Sequence, residues 1–175
     1  MTKSERITQI LKQSCRPMTA RELTVDIAGY IFSHVHDIHP ARNSYGQVEE
    51  FMPQSQYLKR AISRLNPHGS GPFCRFSFDK KWQGYSGVYA LFINGVLMYI
   101  GETINLHKRF NTGYGNISPK NCYQGGQPTN CKINNLILNK YLKNEITSVY
   151  FVYTPDYKRI EKSILSKLKP QFNGR

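Results

Sequence analysis

Few side chains in the second half of this sequence can serve as acids, bases or metal ligands. Between residues 84 and 175 the carboxylates are Glu102, Glu145, Asp156 and Glu161, so carboxylate chemistry there has four candidates. Glu161 is singled out by its position. On the helix predicted after Thr154-Pro155 the apolar stripe is Tyr157, Ile160, Ile164, Leu165 and Leu168, and Glu161 falls inside it, three and four positions from Ile164 and Leu165. A carboxylate drawn out of water is costly unless a cation or several donors compensate, so this position asks for a partner. The plainer alternative is a Glu at the edge of the stripe, paired with Lys158 or Lys162. Two tyrosines, Tyr89 and Tyr99, flank the turn signal Asn94-Gly95 in a stretch of β-branched and aromatic residues that reads as a hairpin. Their register decides whether they can work together. A two-residue turn pairing Ile93 with Val96 sends the phenols to opposite faces. A three-residue loop with Gly95 left-handed at a bulge sets Tyr89 opposite Tyr99 on one face, and this is the expected arrangement.

Other ligand-type residues carry less. His34-Val35-His36-Asp37-Ile38-His39 lacks the H-x-H-x-D-H order of binuclear zinc hydrolases, and no second His cluster completes a site. The four cysteines, Cys15, Cys74, Cys122 and Cys131, form no CxxC pair and read as packing thiols.

The elements that must hold these residues differ between the two halves. Thr2-Lys3-Ser4-Glu5 and Met18-Thr19-Ala20-Arg21-Glu22-Leu23 are capping-box patterns that predict two helices, the second ended by Gly29, and a loop follows over His34 to Gly46. A third helix is predicted from Pro53, with Leu58, Ala61, Ile62 and Leu65 on one side and Gln54, Gln56, Lys59 and Arg60 on the other. Phe73 to Phe78 alternates as a strand. Three helices and a strand resemble a winged helix-turn-helix, in which Gln54, Gln56, Lys59 and Arg60 would read DNA; the alternative is a helical cap with a solvated face. The boundary falls near Trp82-Gln83-Gly84. The expected fold is α+β, a mainly helical winged-helix-like domain over 1–83 followed by a small antiparallel sheet flanked by helices over 84–175.

Charge names the partner class. The 175 residues carry 24 Lys and Arg against 11 Asp and Glu, a net +13, and both halves are basic, with 12 against 7 over residues 1–83 and 12 against 4 over 84–175. A polyanion, nucleic acid first, is the expected ligand. No apolar run reaches the ~18 residues of a membrane span and no secretory h-region follows the first residues, so the expected compartment is the cytoplasm.

Gly87-Val88-Tyr89, then Tyr99-Ile100-Gly101, then Glu102-Thr103-Ile104-Asn105-Leu106-His107-Lys108-Arg109, with Glu161 and Asn173 later, resembles the signature of the GIY-YIG nuclease superfamily. The likeness covers about residues 84–175. It implies metal-dependent hydrolysis of DNA phosphodiesters, with one divalent metal, Mg2+ or Mn2+, on Glu161. It further implies that Arg109 stabilises phosphate charge, that Tyr89 with Tyr99 handles the attacking water, and that Asn173 and His107 belong to the catalytic set. A phenol with a reference pKa near ~10 needs nearby cations to act as a base, and Arg109, His107 and the metal would supply them. Several relatives carry His or Tyr four residues beyond the arginine, where this chain has Gly113; Tyr114 or His107 would then serve. The Gly- and Asn-rich segment from Gly113 to Asn130, which includes Lys120 as a further DNA contact, is similar to segments of restriction-type members. The expectation is a restriction-type endonuclease acting on DNA, with a homodimer on the duplex as one arrangement. The alternatives are a structure-specific repair nuclease and a non-catalytic DNA-binding regulator on the same fold.

Overall fold

The structure, a computed structural model, describes residues 24–174. They pack as two units, one built from residues 24–37, Tyr85–Ile104 and 147–174, the other from Ile38–Gly84 and Asn105–Ile146. The chain leaves the first unit twice and returns twice.

The first unit is a curled five-stranded antiparallel sheet with a helix against one face. Its strands are β1 (Thr24–Ile27), β2 (Tyr30–Ile38), β5 (Gly87–Ile93), β6 (Val96–Thr103) and β7 (Thr147–Tyr153), in the order β1-β2-β7-β5-β6. Val88, Ala90 and Phe92 of β5, Ile100 of β6, Tyr150 of β7 and Val25, Ile27 and Phe32 of the first hairpin bury against Ile160 and Ile164 of the helix Tyr157–Lys167. Tyr157, Leu165 and Leu168 complete that stripe at its rim, as the sequence period requires. Burial of each large apolar side chain contributes roughly 1.5–3 kcal/mol relative to exposure.

Two expectations fail at the start of this unit. The residues before Gly29 are a strand rather than the end of a helix, and His34 to Ile38 continue a strand rather than open a loop. Alternation decides it: Val25 and Ile27 are buried while Thr24 and Asp26 are exposed. Ala28 and Gly29, with φ of 56° and 93°, form a two-residue turn, and Asp26 Oδ1 accepts from the Gly29 N–H at 2.8 Å. The helix proposed for Thr2 to Leu11 and the capping box at Met18 lie outside the described residues.

The second unit holds β3 (Glu50–Phe51) paired with β4 (Phe73–Cys74), the short helix α1 (Leu106–Lys108) running into a π-helical turn at Arg109–Tyr114, and α2 (Pro128–Tyr141). With little sheet to satisfy its backbone, this unit uses side-chain amides. The Asn134 amide, fully buried on α2, accepts from Cys74 N–H at 2.9 Å and donates to the carbonyls of Cys74 and Tyr114, both at 2.7 Å.

The helix expected from Pro53 is absent. Two 3-10 turns stand in its place, Pro53–Gln56 and Arg60–Ile62. The supposed core face is outside: Leu58 is 99% exposed and Ile62 85%. What wins over the helical period is tethering at both ends. Tyr57 packs on Tyr123 with ring centroids 4.7 Å apart, and the backbone at Arg64 to Asn66 bonds to Cys122 and Gln124. Of the predicted strand Phe73 to Phe78 only Phe73–Cys74 joins a ladder, although Phe76 and Phe78 stay buried and Arg75 and Ser77 exposed as its alternation implies. Residues 24–83 thus carry strands and 3-10 turns where a mainly helical winged-helix-like domain was expected. No helix among the described residues is long and apolar enough to cross a membrane. The helix Tyr157–Lys167 is called α3 below.

Candidate active site

The β5–β6 hairpin closes through Asn94 and Gly95, both left-handed with φ of 49° and 75°, and Ile93 pairs directly with Val96. The expected three-residue loop is therefore replaced by a two-residue turn, which Asn tolerates without strain. The extra residue lies elsewhere. Leu91 pairs with Tyr99 and Phe92 with Leu97, so Met98 is a bulge inside β6. Parity shifts by one at Met98, and the outcome for the tyrosines is the expected one, on a shared face.

Tyr89 pairs with Gly101 rather than with Tyr99, and its ring lies 6.2 Å from that of Tyr99, centroid to centroid. Tyr89 is 1% exposed and Tyr99 half-buried. A Cβ on Gly101 would stand 2.3 Å from Tyr89 Oη and 2.8 Å from Tyr99 Cε1, so the last glycine of the second tripeptide is the floor under both phenols. A Cβ on Gly87 would stand 2.1 Å from the Val152 carbonyl oxygen, so the first glycine of the first tripeptide permits the close approach of β7. Val88 and Ala90, between and beside these residues, point to the other face and bury against α3.

Asn173 acts on the same strand from outside. β6 is an edge, and Asn173 Oδ1 accepts from the Ile100 N–H at 2.8 Å while its Nδ2 donates to the Ile100 carbonyl at 2.6 Å. The Phe172 N–H adds a bond to the Met98 carbonyl at 3.0 Å. One amide side chain thereby imitates a neighbouring strand and holds the C-terminal segment along the edge beside the bulge.

Glu161 lies half-buried on α3 and lines an open depression of about 610 Å³ together with Glu102, Lys158, Lys162, Leu165 and Ser166. Sequence reading counted Glu102 among the carboxylates without giving it a role. The signal was available in strand parity, because Glu102 pairs with Val88 and so faces the α3 side. Among the described residues no group of three or more His, Cys, Asp or Glu side chains converges as a metal site. Glu161 and Glu102 are two hard oxygen donors in one depression, and Lys158 and Lys162, the alternative partners for Glu161, line it as well.

Arg109 belongs to the second unit. Asn105 caps α1, its Oδ1 accepting from the Lys108 N–H at 2.9 Å, and Arg109 opens the π-helical turn, which closes with a Gly115 N–H to Phe110 carbonyl bond at 2.6 Å. The widened turn has a consequence for the missing group at Gly113. An extra residue in the turn brings Tyr114 under Arg109, whose guanidinium carbon lies 5.5 Å from the ring centroid, and Tyr114 itself is fully buried edge-on to Phe110. His107, half-buried on α1, has a buried Nδ1 with no hydrogen-bond partner among the described residues.

The proposed DNA contacts divide. Gln54 is buried and spends its amide on the Ser70 carbonyl at 2.6 Å, so it is a structural tie rather than a reader. Gln56, Lys59 and Arg60 are exposed, and Lys120 is exposed on the turn Pro119–Cys122. The ligand-type run on β2 is engaged locally. His34 Nε2 meets Asp37 Oδ1 at 2.8 Å, and the Ser148 hydroxyl donates to the same oxygen at 2.6 Å. Burial pushes the Cys74 thiol up to about 12, and the Cys131 thiol is raised too, chiefly by its hydrogen bond to Cys122. No family model, curated protein or solved structure matches the chain.

Proposed function

We propose that the chain is a metal-dependent DNA endonuclease of the GIY-YIG kind, hydrolysing phosphodiester bonds in a restriction-type role. One observation carries this reading. The residues of the two tripeptides are physically interlocked, with Tyr89 resting on Gly101, Tyr99 beside it, and Ile100 clasped by Asn173 seventy-odd residues later. Cross-strand packing of the two tripeptides is what the GIY-YIG likeness requires of them, and this supports the reading.

In this reading Glu161, with Glu102, would hold a divalent ion, which when bound supplies positive charge to the scissile phosphate and leaving oxygen. Arg109 carries a fixed charge whose planar fork suits two phosphate oxygens, and the Tyr114 ring beneath it restricts its rotamers. Tyr89 and Tyr99 share the face of the sheet opposite the one that carries Glu102 and packs on α3, and Gly101 sets the two rings in place there. Asn173 is a positioning residue that acts through the edge of β6.

Incubation of the purified protein with supercoiled plasmid, linear duplex and branched DNA in Mg2+ or Mn2+ tests the reading. Cleavage that stops on chelation and in Glu161→Gln is expected. Preference for branched over linear duplex would move the role from restriction to repair, and absence of any metal-dependent cleavage would remove the proposal.

A further inference from the structure

The absence of a helix after Pro53 leaves something more specific in its place. Residues 58–63, Leu-Lys-Arg-Ala-Ile-Ser, form a protruding tip with two fixed feet. At one foot Tyr57 packs on Tyr123, whose hydroxyl donates to the Gln54 carbonyl at 2.9 Å. At the other, Gln124 N–H donates to the Arg64 carbonyl at 2.9 Å and Asn66 N–H to the Cys122 carbonyl at 2.9 Å. Both feet stand on Cys122 to Gln124, and Asn66 Nδ2 adds a bond to the Asn121 carbonyl at 2.6 Å. The tip is therefore held up rather than free to fold its apolar groups inward.

What it holds up is unusual for a surface. Leu58 and Ile62, at 99% and 85% exposure, are interspersed with exposed Lys59, Arg60 and Arg64, and Arg60 also donates one guanidinium N–H to the Ser55 carbonyl. From Phe51 to Phe78 there is no carboxylate. The unit that carries the tip has 13 Lys and Arg against 4 Asp and Glu, a net +9 of the whole chain's +13. Two isolated aliphatic side chains cannot supply the ~1,200 Å² or more of a stable protein interface, and the surrounding charge repels a second copy. Aliphatic side chains flanked by arginine and lysine are instead the equipment of proteins that wedge between base steps from the minor groove.

We infer that the tip is a DNA wedge: Leu58 and Ile62 insert at a base step of duplex DNA while Lys59, Arg60 and Arg64 hold the flanking phosphates. The inference rests on DNA being the substrate, and it changes the mode of contact from a helix reading the major groove to unstacking at a deformable step. Pyrimidine–purine steps are the favoured targets because they unstack most easily.

The test uses the full chain with Glu161→Gln to prevent cleavage, and a linear duplex containing TA steps labelled with 2-aminopurine and with a dye at each end. Binding should raise 2-aminopurine fluorescence and shorten the end-to-end distance. Adding L58S and I62S, both at exposed positions, should abolish the fluorescence rise and weaken binding about tenfold, with the salt dependence unchanged. Adding K59A, R60A and R64A instead should flatten the salt slope by about 0.9 for each phosphate that is no longer neutralised. Equal binding and equal unstacking in the L58S/I62S protein would overturn the wedge while leaving DNA as the substrate. A dimer that L58S/I62S dissolves in the absence of DNA would overturn it in favour of self-association. Failure of the parent protein to bind duplex at low salt would overturn both the wedge and the nuclease reading.

Discussion

The phenol of Tyr89 occupies the space that a side chain on Gly101 would need, with 2.3 Å between Oη and the position of a Cβ. Gly101→Ala therefore forces either the ring or strand β6 to move. The expected cost is about 1–3 kcal/mol of stability, as for other overpacked cores. Because Tyr89 is the obstruction, the double variant with Tyr89→Ala should cost less than the sum of the two single changes. Denaturant titration of the four proteins measures the coupling, and additive costs would show that the two residues do not contend for one space.

Asn173 satisfies both backbone groups of Ile100 on an edge strand. Asn173→Ala should expose that amide, raising its hydrogen-exchange rate, and lower stability by about 1–3 kcal/mol. Asn173→Asp keeps an acceptor for the Ile100 N–H but sets a carboxylate against a carbonyl, so it should not restore protection.

Removal of either of the charges assigned to catalysis should act on turnover and not on folding. Glu161→Gln and Arg109→Ala are each expected to lower cleavage by at least about a hundredfold while thermal unfolding stays within a few degrees. Activity of wild-type protein in excess EDTA, or full activity of Glu161→Gln, would contradict the role assigned to Glu161, and full activity of Arg109→Ala that assigned to Arg109.

Tyr114 lies beneath Arg109 because the turn between them is π-helical. Tyr114→Leu should reduce cleavage beyond its effect on stability, whereas Tyr114→Phe, which keeps the ring, should restore most of it. A Phe variant as slow as the Leu variant would assign the effect to the hydroxyl.

Cys74 is fully buried, and burial pushes its thiol up to about 12. At pH 8 it is protonated as well as inaccessible, so iodoacetamide should leave it unlabelled in native protein and label it in denaturant, as read by peptide mass spectrometry. The sign follows from the raised value: the protonated thiol favours the folded state, and this preference fades as pH climbs from about 9 towards about 12.

The second half was legible because its signals are local. The turn dipeptide Asn94-Gly95 and the stripe of α3 each act over a few residues. The bulge at Met98 was not, since nothing in Val96 to Thr103 marks which residue the ladder skips, and the same parity was reachable through a longer turn. The helix expected from Pro53 failed for a related reason. Leu58, Ala61, Ile62 and Leu65 have helical spacing, but Tyr57 and Arg64 to Asn66 are bound by Tyr123, Cys122 and Gln124, far along the chain, and tertiary tethering outweighed the local period. Thr24 to Ile38 misled through the capping pattern before it, whereas its own β-branched and aromatic alternation pointed to strands. For the candidate site, residue types could be read in order along the chain, but the contacts that make Gly101 and Asn173 necessary are cross-strand and edge contacts, which a one-dimensional pattern does not carry.

β2 ends at Ile38 and its neighbour in the sheet, β7, begins only at Thr147. During synthesis at about 5–20 residues per second, the open side of β2 therefore waits on the order of 5–20 s for its partner. An unpaired strand edge is a template for wrong pairing throughout that interval. The polar residues His34, His36 and Asp37, set among Phe32, Val35 and Ile38, lower the hydrophobicity of the waiting strand and so oppose association between nascent chains before the sheet can close.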